Sequence, residues 1–339
     1  MLMKRPAPGD AVAAISQADD RIGLSESIRS ARDVLAMAAR QADAAQAAEW
    51  WSALVVEAVA AAVRVIGAPA GVEWEWFVTG SCARGEGLPG ADVETLIRFG
   101  PDADRRRDVL AAAADVHDVL ERAGIAPDGN GAIGSRARCC RTDEGWREAT
   151  DSWAADPATD RGVVMAGLTL DALPVTGTGE SSWLAQTMLA ACRRHPALAA
   201  AMAQDCSAVR EVVPARLAVL TRRADTVDIK QAVVDPIVRL ARLKSVLGDS
   251  GERSTQGRLT APDGVLTDID WPALTHALTA ATGLRWALRR DRWMGGRSVG
   301  DVVALSELAP HERALLRGAG REVMGAQRVL AYVAATEIR

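Results

Sequence analysis

The sequence predicts an α+β fold: a small mixed sheet within about residues 72–178, helices before it and a helical bundle after it. Three observations predict this. The stretch Trp74–Phe99, WEWFVTGSCARGEGLPGADVETLIRF, reads as strand, tight glycine turn, polar loop and second strand. Trp74, Trp76 and Val78 alternate with Glu75 and Phe77, and Val93–Phe99 is rich in β-branched and apolar residues, the period-two signal of strands. Before residue 67 and beyond Ser181 the apolar residues recur at helical spacing instead. The abundance of alanine adds a helical bias.

Composition narrows the class. The chain has 339 residues, enough for two domains and a sizeable core. It divides into a leader with N-terminal helices (1–66), a central domain (67–180) and a helical domain (181–339). The net charge is -4 with both signs well mixed, which argues against a general nucleic-acid binder with its basic face. No run approaches a membrane span. The N-terminal MLMKRPAPGD has no apolar core behind its two basic residues, so it does not read as a secretory signal. Five cysteines, an odd number without a framework, suit a reducing cytoplasm. Cys139 and Cys140 are adjacent and no Cys-x-x-Cys pair exists, so no zinc site is expected.

In order, residues 1 to about 24 read as a loose leader. Ser25–Ala45 and Ala47–Ile66 read as amphipathic helices, the first capped by Ser25 or Ser27, the second ended by Gly67, Pro69 and Gly71. Trp50 and Trp51 are assigned to packing, the habit of large aromatics. Pro101–Arg107 is a charged turn. Asp108–Gly124 is a helix with Val109, Val116, Val119 and Leu120 on one side and His117 on a solvated face. Residues 163–171, VVMAGLTLD, read as a strand ending at Asp171. Helices then cover the region Ala224–Gly248 and about 271–293, 298–307 and 310–337, with a turn at Pro262–Leu266. Pro310 stands at a helix start, where its missing N–H costs nothing.

The central loop carries the chemistry. Asp92 and Glu94 are two apart on a strand, so their carboxylates share a face. Two carboxylates after a glycine turn suit a hard divalent cation carrying a phosphate chain. Gly80 lets the backbone approach a phosphate with no Cβ in the way. The Ser81 hydroxyl and the turn N–H groups can donate to it. Arg84 can grip phosphate with two bonds, and Glu86 can orient Arg84. Blander readings stand beside these: Asp92 and Glu94 as strand residues facing water, and Arg84–Glu86 as a surface ion pair of little consequence.

Gly80-Ser81, Arg84-Gly85-Glu86 and Asp92-x-Glu94 together resemble the signature of the polymerase-β-type nucleotidyltransferases. More narrowly they resemble the DUF294-type branch related to the PII-protein uridylyltransferase. Asp171, Pro174, Val175 and Gly177 keep the spacing of a later segment of that branch. Asp228, Lys230, Pro236-Ile237-Val238, Ala241-Arg242 and Ser254-Thr255 through Arg258-Leu259 resemble its C-terminal substrate-binding domain. The resemblance runs from about residue 45 to 335. The phosphohydrolase domain of the PII enzyme is not expected, because the four histidines are far apart.

The resemblance implies a polymerase-β-like domain followed by a helical bundle, and a transferase moving an NMP from an NTP to a hydroxyl. The acceptor, on the analogy alone, is a regulatory protein. Asp92, Glu94 and Asp171 would be the catalytic carboxylates holding Mg²⁺, with Mn²⁺ as the other candidate. Gly80, Ser81, Arg84, Glu86, Lys230 and Arg242 would bind the nucleotide. The Asp228–Arg242 helix and the Ser254–Leu259 turn, with Arg239 and Arg258, would wall its cleft. Four departures stand out: Glu94 for Asp, Ala91 for Ser or Thr, Leu173 for Arg, and Arg136-Ala137 for Asn-Pro. They keep open a nucleotide-sensing regulatory protein with little turnover, and a helical adaptor with a vestigial site.

Overall fold

Pro8 opens a helix rather than a loose leader. Its fixed φ suits the first helical turn, and Pro8–Ala13 (α1) buries Ala11 and Val12. The structure, a computed structural model, describes residues 7–176, 183–214, 225–262 and 266–336. A short turn, Ala14–Gln17, buries Ile15, and Arg21–Ala38 (α2) follows. The cap of α2 is Asp20, whose side chain accepts from Ile22 and Gly23 N–H. Neither expected serine caps it; Ser25 is buried and bonds the Arg21 carbonyl at 3.0 Å. The apolar residues of this segment are too few and too broken by alanine to show a period, so the sequence reading placed the start late.

Ala44–Ile66 (α3) starts at a capping box between Asp43 and Gln46 and ends at Gly67, φ +76°. Trp51 is 1 % exposed and packs as expected. Beyond Trp74–Thr79 (β1) come a short helix Gly80–Ala83 (α4), Glu94–Phe99 (β2) and Arg106–Arg122 (α5). Cys140–Thr142 (β3), Asp143–Ala155 (α6), Gly162–Leu170 (α7) and Leu173–Pro174 (β4) complete the central stretch. The mixed sheet runs β3-β2-β1-β4, with β1 antiparallel to β2 and β4, and β2 parallel to β3. β3 emerges from the glycine-rich segment, and Trp146 of α6 donates its indole N–H to Ile97 O at 2.9 Å.

Two expectations are corrected here. Residues 163–171 are not a strand; they form helix α7, with Asp171 just past its end. Met165, Ala166, Thr169 and Leu170 are all buried, and an all-round apolar run reads the same for a buried helix or strand. His117 is not on a solvated face. It is 5 % exposed, its Nε2 lies 3.0 Å from Thr95 Oγ1, and its ring meets Trp76 at 5.9 Å between centroids. Burial pushes its pKa down to about 4.

The chain divides into two compact units, Met1–Thr150 with Leu168–Thr187, and Asp151–Gly167 with Met188–Arg339. In the first, α3 packs against α2, α5 and β1. The second takes in most of Trp183–Arg194 (α8), then Ala197–Ser207 (α9), Thr226–Asp228 (β5), a π-helical turn Lys230–Val234, and Asp235–Leu247 (α10). Thr255–Thr260 (α11), Trp271–Met294 (α12), Val302–Ala304 (β6) and Pro310–Thr336 (α13) finish it. The helix α13 packs on α12 and α9. The expected helix at 298–307 is instead β6, paired antiparallel with β5. Three-residue strands are too short to show alternation, and Asp228↔Val302 pairing satisfies their backbone groups. The Ser254–Leu259 turn is the short helix α11, capped by Ser254. Residues 263–265 of the expected Pro262–Leu266 turn, and Gly177, lie outside the described residues. Among the described residues no helix is long and apolar enough to cross a membrane, and all five cysteines are free and buried.

Candidate active site

The sheet register brings the acidic residues to one end of β1. Thr79, the last residue of β1, pairs with Glu94, the first of β2. On the other side Val78 pairs with Leu173, so Asp171 lies just before β4 at that same end. Glu94 and Asp171 therefore approach the end of β1 from the strands on its two flanks. The chain then turns at Gly80, φ +65°. A Cβ at this position would fall 1.4 Å from Glu94 Oε2, so the Glu94 carboxylate lies directly over the glycine and only glycine fits.

The loop after Gly80 is held from below by α3. Gly87 N–H donates to Ser52 Oγ at 3.1 Å, and a Cβ on Gly87 would meet Cys82 Sγ at 2.7 Å. The Trp51 indole N–H donates to Ala91 O at 3.2 Å. Thr79 Oγ1 donates to the Leu168 carbonyl at 2.5 Å, joining β1 to the end of α7. Cys82 sits inside this turn. Burial first, then the Glu94 and Asp92 charges, push its thiol up to about 12, so it is an inert thiol with both carboxylates close by. Asp92 itself is exposed, Ser81 and Glu94 half-buried.

Arg84 is the buried cation of the site. Its Nη1 lies 2.5 Å from Asp171 Oδ2 and its Nε 2.8 Å from Glu86 Oε2. The Arg84 side chain is 7 % exposed and that of Asp171 0 %. Burial alone would lower the guanidinium pKa; the Asp171 and Glu86 charges outweigh it and hold it above its ordinary value. The pair Arg84–Glu86 is thus part of a buried network, not a surface ion pair.

The three expected metal carboxylates share one end of the sheet, yet among the described residues no three His, Cys, Asp or Glu side chains form a group able to hold a metal ion. Asp171 is bonded to Arg84 instead. The remaining donors, Asp92 and Glu94, are hard oxygens beside a turn with no Cβ. That set fits Mg²⁺, which is bound through one or two carboxylates and keeps waters and phosphate oxygens for the rest.

The C-terminal basic residues belong to the second unit. Lys230 is exposed and acts on the Asp301 carboxylate. Arg242 lies over Gly167, where a Cβ would stand 2.9 Å from its Nη1. Arg258 is 1 % exposed and donates from Nε to Glu252 O at 2.8 Å. Arg239 Nε is 3.8 Å from Asp205 Oδ2. Asp228 accepts from Gln231 N–H at 3.0 Å and caps the turn that follows. Sequence reasoning missed Ser52 and Cys82, which carry no spacing signal. It also missed the Arg285–Asp301 pair, although arginines at 285, 289 and 292 repeat at helical spacing.

A sheet whose interior strand β1 ends at a glycine turn, with acidic residues gathered at that end and a largely helical second unit in the same chain, defines an α+β protein. Sequence comparison supplies the family. Residues 29–160 match the family described as "Putative nucleotidyltransferase DUF294". Residues 196–334 match the "Putative nucleotidyltransferase substrate binding domain". The two matches together take in most of the chain, and the protein belongs to this family. The loop from Gly80 to Glu94 falls in the first match and Lys230 and Arg242 in the second, while Asp171 lies between them. No curated protein matches the chain.

Proposed function

We propose that the protein is a Mg²⁺-dependent nucleotidyltransferase that moves an NMP from an NTP to a hydroxyl. The observation that carries this reading is the Glu94 carboxylate seated over Gly80, with Asp92 two residues away. Asp92 and Glu94 are the residues that would hold Mg²⁺, or Mn²⁺ in its place. The ion supplies charge neutralisation on the triphosphate when bound. Gly80 and Ser81 offer backbone and hydroxyl donors to the phosphates. Arg84, pinned by Glu86 and Asp171, keeps a fixed orientation; a guanidinium has five donors, and the two bonds seen use only part of them. Asp171 acts in this reading as the residue that positions Arg84. The acceptor oxygen attacks the α-phosphorus and pyrophosphate leaves, a transfer that asks the protein mainly for positioning and charge. A protein side chain as acceptor rests on family analogy.

The test is pyrophosphate release from each NTP with and without Mg²⁺. Metal-dependent release supports the reading. The buried Arg84–Asp171 bond favours one other reading, a nucleotide sensor in which the third carboxylate is withdrawn from metal. Saturable nucleotide binding with no pyrophosphate release selects that sensor.

A further inference from the structure

The helices α12 and α13 of the second unit pack on each other but leave an open groove between them. It holds about 1160 Å³ of atom-free space, part of it open solvent. Its α12 wall is Ala273, Ala277 and Ala280, at i, i+4 and i+7, with His276 among them. Small side chains make this wall low, so a further helix can approach at the short end of the usual range of about 8–10 Å between axes.

Along α13 the groove residues His311, Leu315, Gly318 and Glu322 fall at i, i+4, i+7 and i+11, one stripe of the helix. Leu316, Val323, Ala326 and Leu330 are buried, so α13 turns a different face to its own core. Leu315 is 55 % exposed, and His311 and Glu322 are exposed as well. An exposed leucine alone needs no explanation. This one stands one turn from a dent. Among the described residues, a Cβ on Gly318 would have one atom within 4 Å, Arg321 Nη2 at 3.9 Å.

The order of the stripe decides what fits it, because in reverse it is complementary to itself. Two copies of α13 laid antiparallel, with the dyad between Leu316 and Arg317, bring position 311 opposite 322 and position 315 opposite 318. Leu315 of each copy then packs at the Gly318 dent of the other, a knob meeting a hole. The His311 imidazole, a donor through its N–H, meets the Glu322 carboxylate, an acceptor, once on each side of the dyad. This is the isologous pattern of a two-fold dimer, in which i contacts j and j contacts i. A parallel pairing would set Glu322 against Glu322 and leave both dents empty.

We propose that the groove seats a second copy of this chain, with α13 packed antiparallel on α13 of the other copy. The stripe from His311 to Glu322 is about 16 Å long at 1.5 Å per residue. That is short for a permanent dimer, so the association is weak, with a Kd on the order of 10 µM.

The experiment is sedimentation velocity of the full chain from about 1 to 300 µM. Wild type passes from monomer to dimer across that range. Leu315→Glu stays monomeric throughout, because its carboxylate would be buried at the centre of the contact. Gly318→Leu fills the dent and weakens the dimer about tenfold or more. It melts no lower than wild type, since leucine favours the helix over glycine. His311→Glu sets carboxylate against carboxylate and also weakens the dimer about tenfold or more. Adding Glu322→Lys to that variant restores the pairing with its signs exchanged and brings the Kd back to within about threefold of wild type. A wild type that stays monomeric, which leaves the groove to a partner of another kind, overturns the proposal. So does a dimer indifferent to Leu315→Glu, or one that Glu322→Lys fails to rescue.

Discussion

Arg84 Nη1 stands 2.5 Å from Asp171 Oδ2, with both side chains buried. This bond joins the catalytic-type loop after β1 to the segment that precedes β4. Breaking a buried pair typically costs about 3–5 kcal/mol, and losing Asp171 leaves the buried Arg84 with Glu86 alone as its counterion. Asp171→Ala is expected to lower unfolding free energy by about that amount, measured by urea titration. Adding Arg84→Met should recover part of the loss, because it removes the buried guanidinium, and the carboxylate it leaves behind, Glu86, is partly exposed to water. A loss below about 1 kcal/mol in the single variant, the range of exposed pairs, would show that the pair does not hold the loop.

Gly80→Ala tests the seat of Glu94. The position has φ +65° and its new Cβ would fall 1.4 Å from Glu94 Oε2. The expected stability loss is about 1–3 kcal/mol from backbone strain. Nucleotide turnover should fall much further than stability, because Glu94 is pushed off the turn. Pyrophosphate release and melting temperature, measured on the same preparation, separate the two effects. Full turnover in Gly80→Ala contradicts the site geometry.

The strand–turn–strand of Trp74–Phe99 and the helices Ala44–Ile66, Trp271–Met294 and Pro310–Thr336 were legible because each repeats its apolar period over several turns or alternations. Gly80, Ser81, Arg84, Glu86, Asp92 and Glu94 were legible as a motif because their spacing along the chain is local. What joins them was not. Ser52 holds Gly87 across 35 residues, and Asp171 reaches Arg84 across 87; such pairings depend on packing that no local pattern records. The run Val163–Asp171 failed for a different reason. It is apolar all round, so its period is hidden, and helix α7 took the place of the expected strand. His117 was misassigned because an isolated imidazole on a helix has no polarity signal of its own; the Thr95 hydroxyl that satisfies Nε2 lies on β2.

His117 makes stability depend on pH. In the fold its pKa is lowered by burial to about 4, against an ordinary value of 6.5. Its Nδ1 is buried with no hydrogen-bond partner, which adds to the cost of charging the ring. Between those values the unfolded chain binds more protons than the folded one, so stability rises with pH across that window. The stability present above about pH 6.5 is lost as pH falls toward 4, by on the order of 3 kcal/mol from this group. Urea midpoints at pH 7 and pH 4.5 measure it. In His117→Gln, which keeps a hydrogen-bonding group but does not titrate, the difference between the two pH values should shrink by most of that amount. An unchanged difference would assign the acid sensitivity to other groups.

The most direct test of the site is Mn²⁺ binding, followed by electron paramagnetic resonance with a non-hydrolysable NTP present. Wild type, Asp92→Asn, Glu94→Gln and Asp171→Asn are compared, each with its melting temperature. The account predicts that Asp92→Asn and Glu94→Gln lose the bound Mn²⁺ while melting no lower than wild type, since removing one of two neighbouring like charges relieves repulsion. It predicts that Asp171→Asn melts lower yet still binds Mn²⁺, because its carboxylate holds Arg84. Loss of Mn²⁺ in Asp171→Asn as complete as in Glu94→Gln, or no Mn²⁺ bound by wild type, would contradict it.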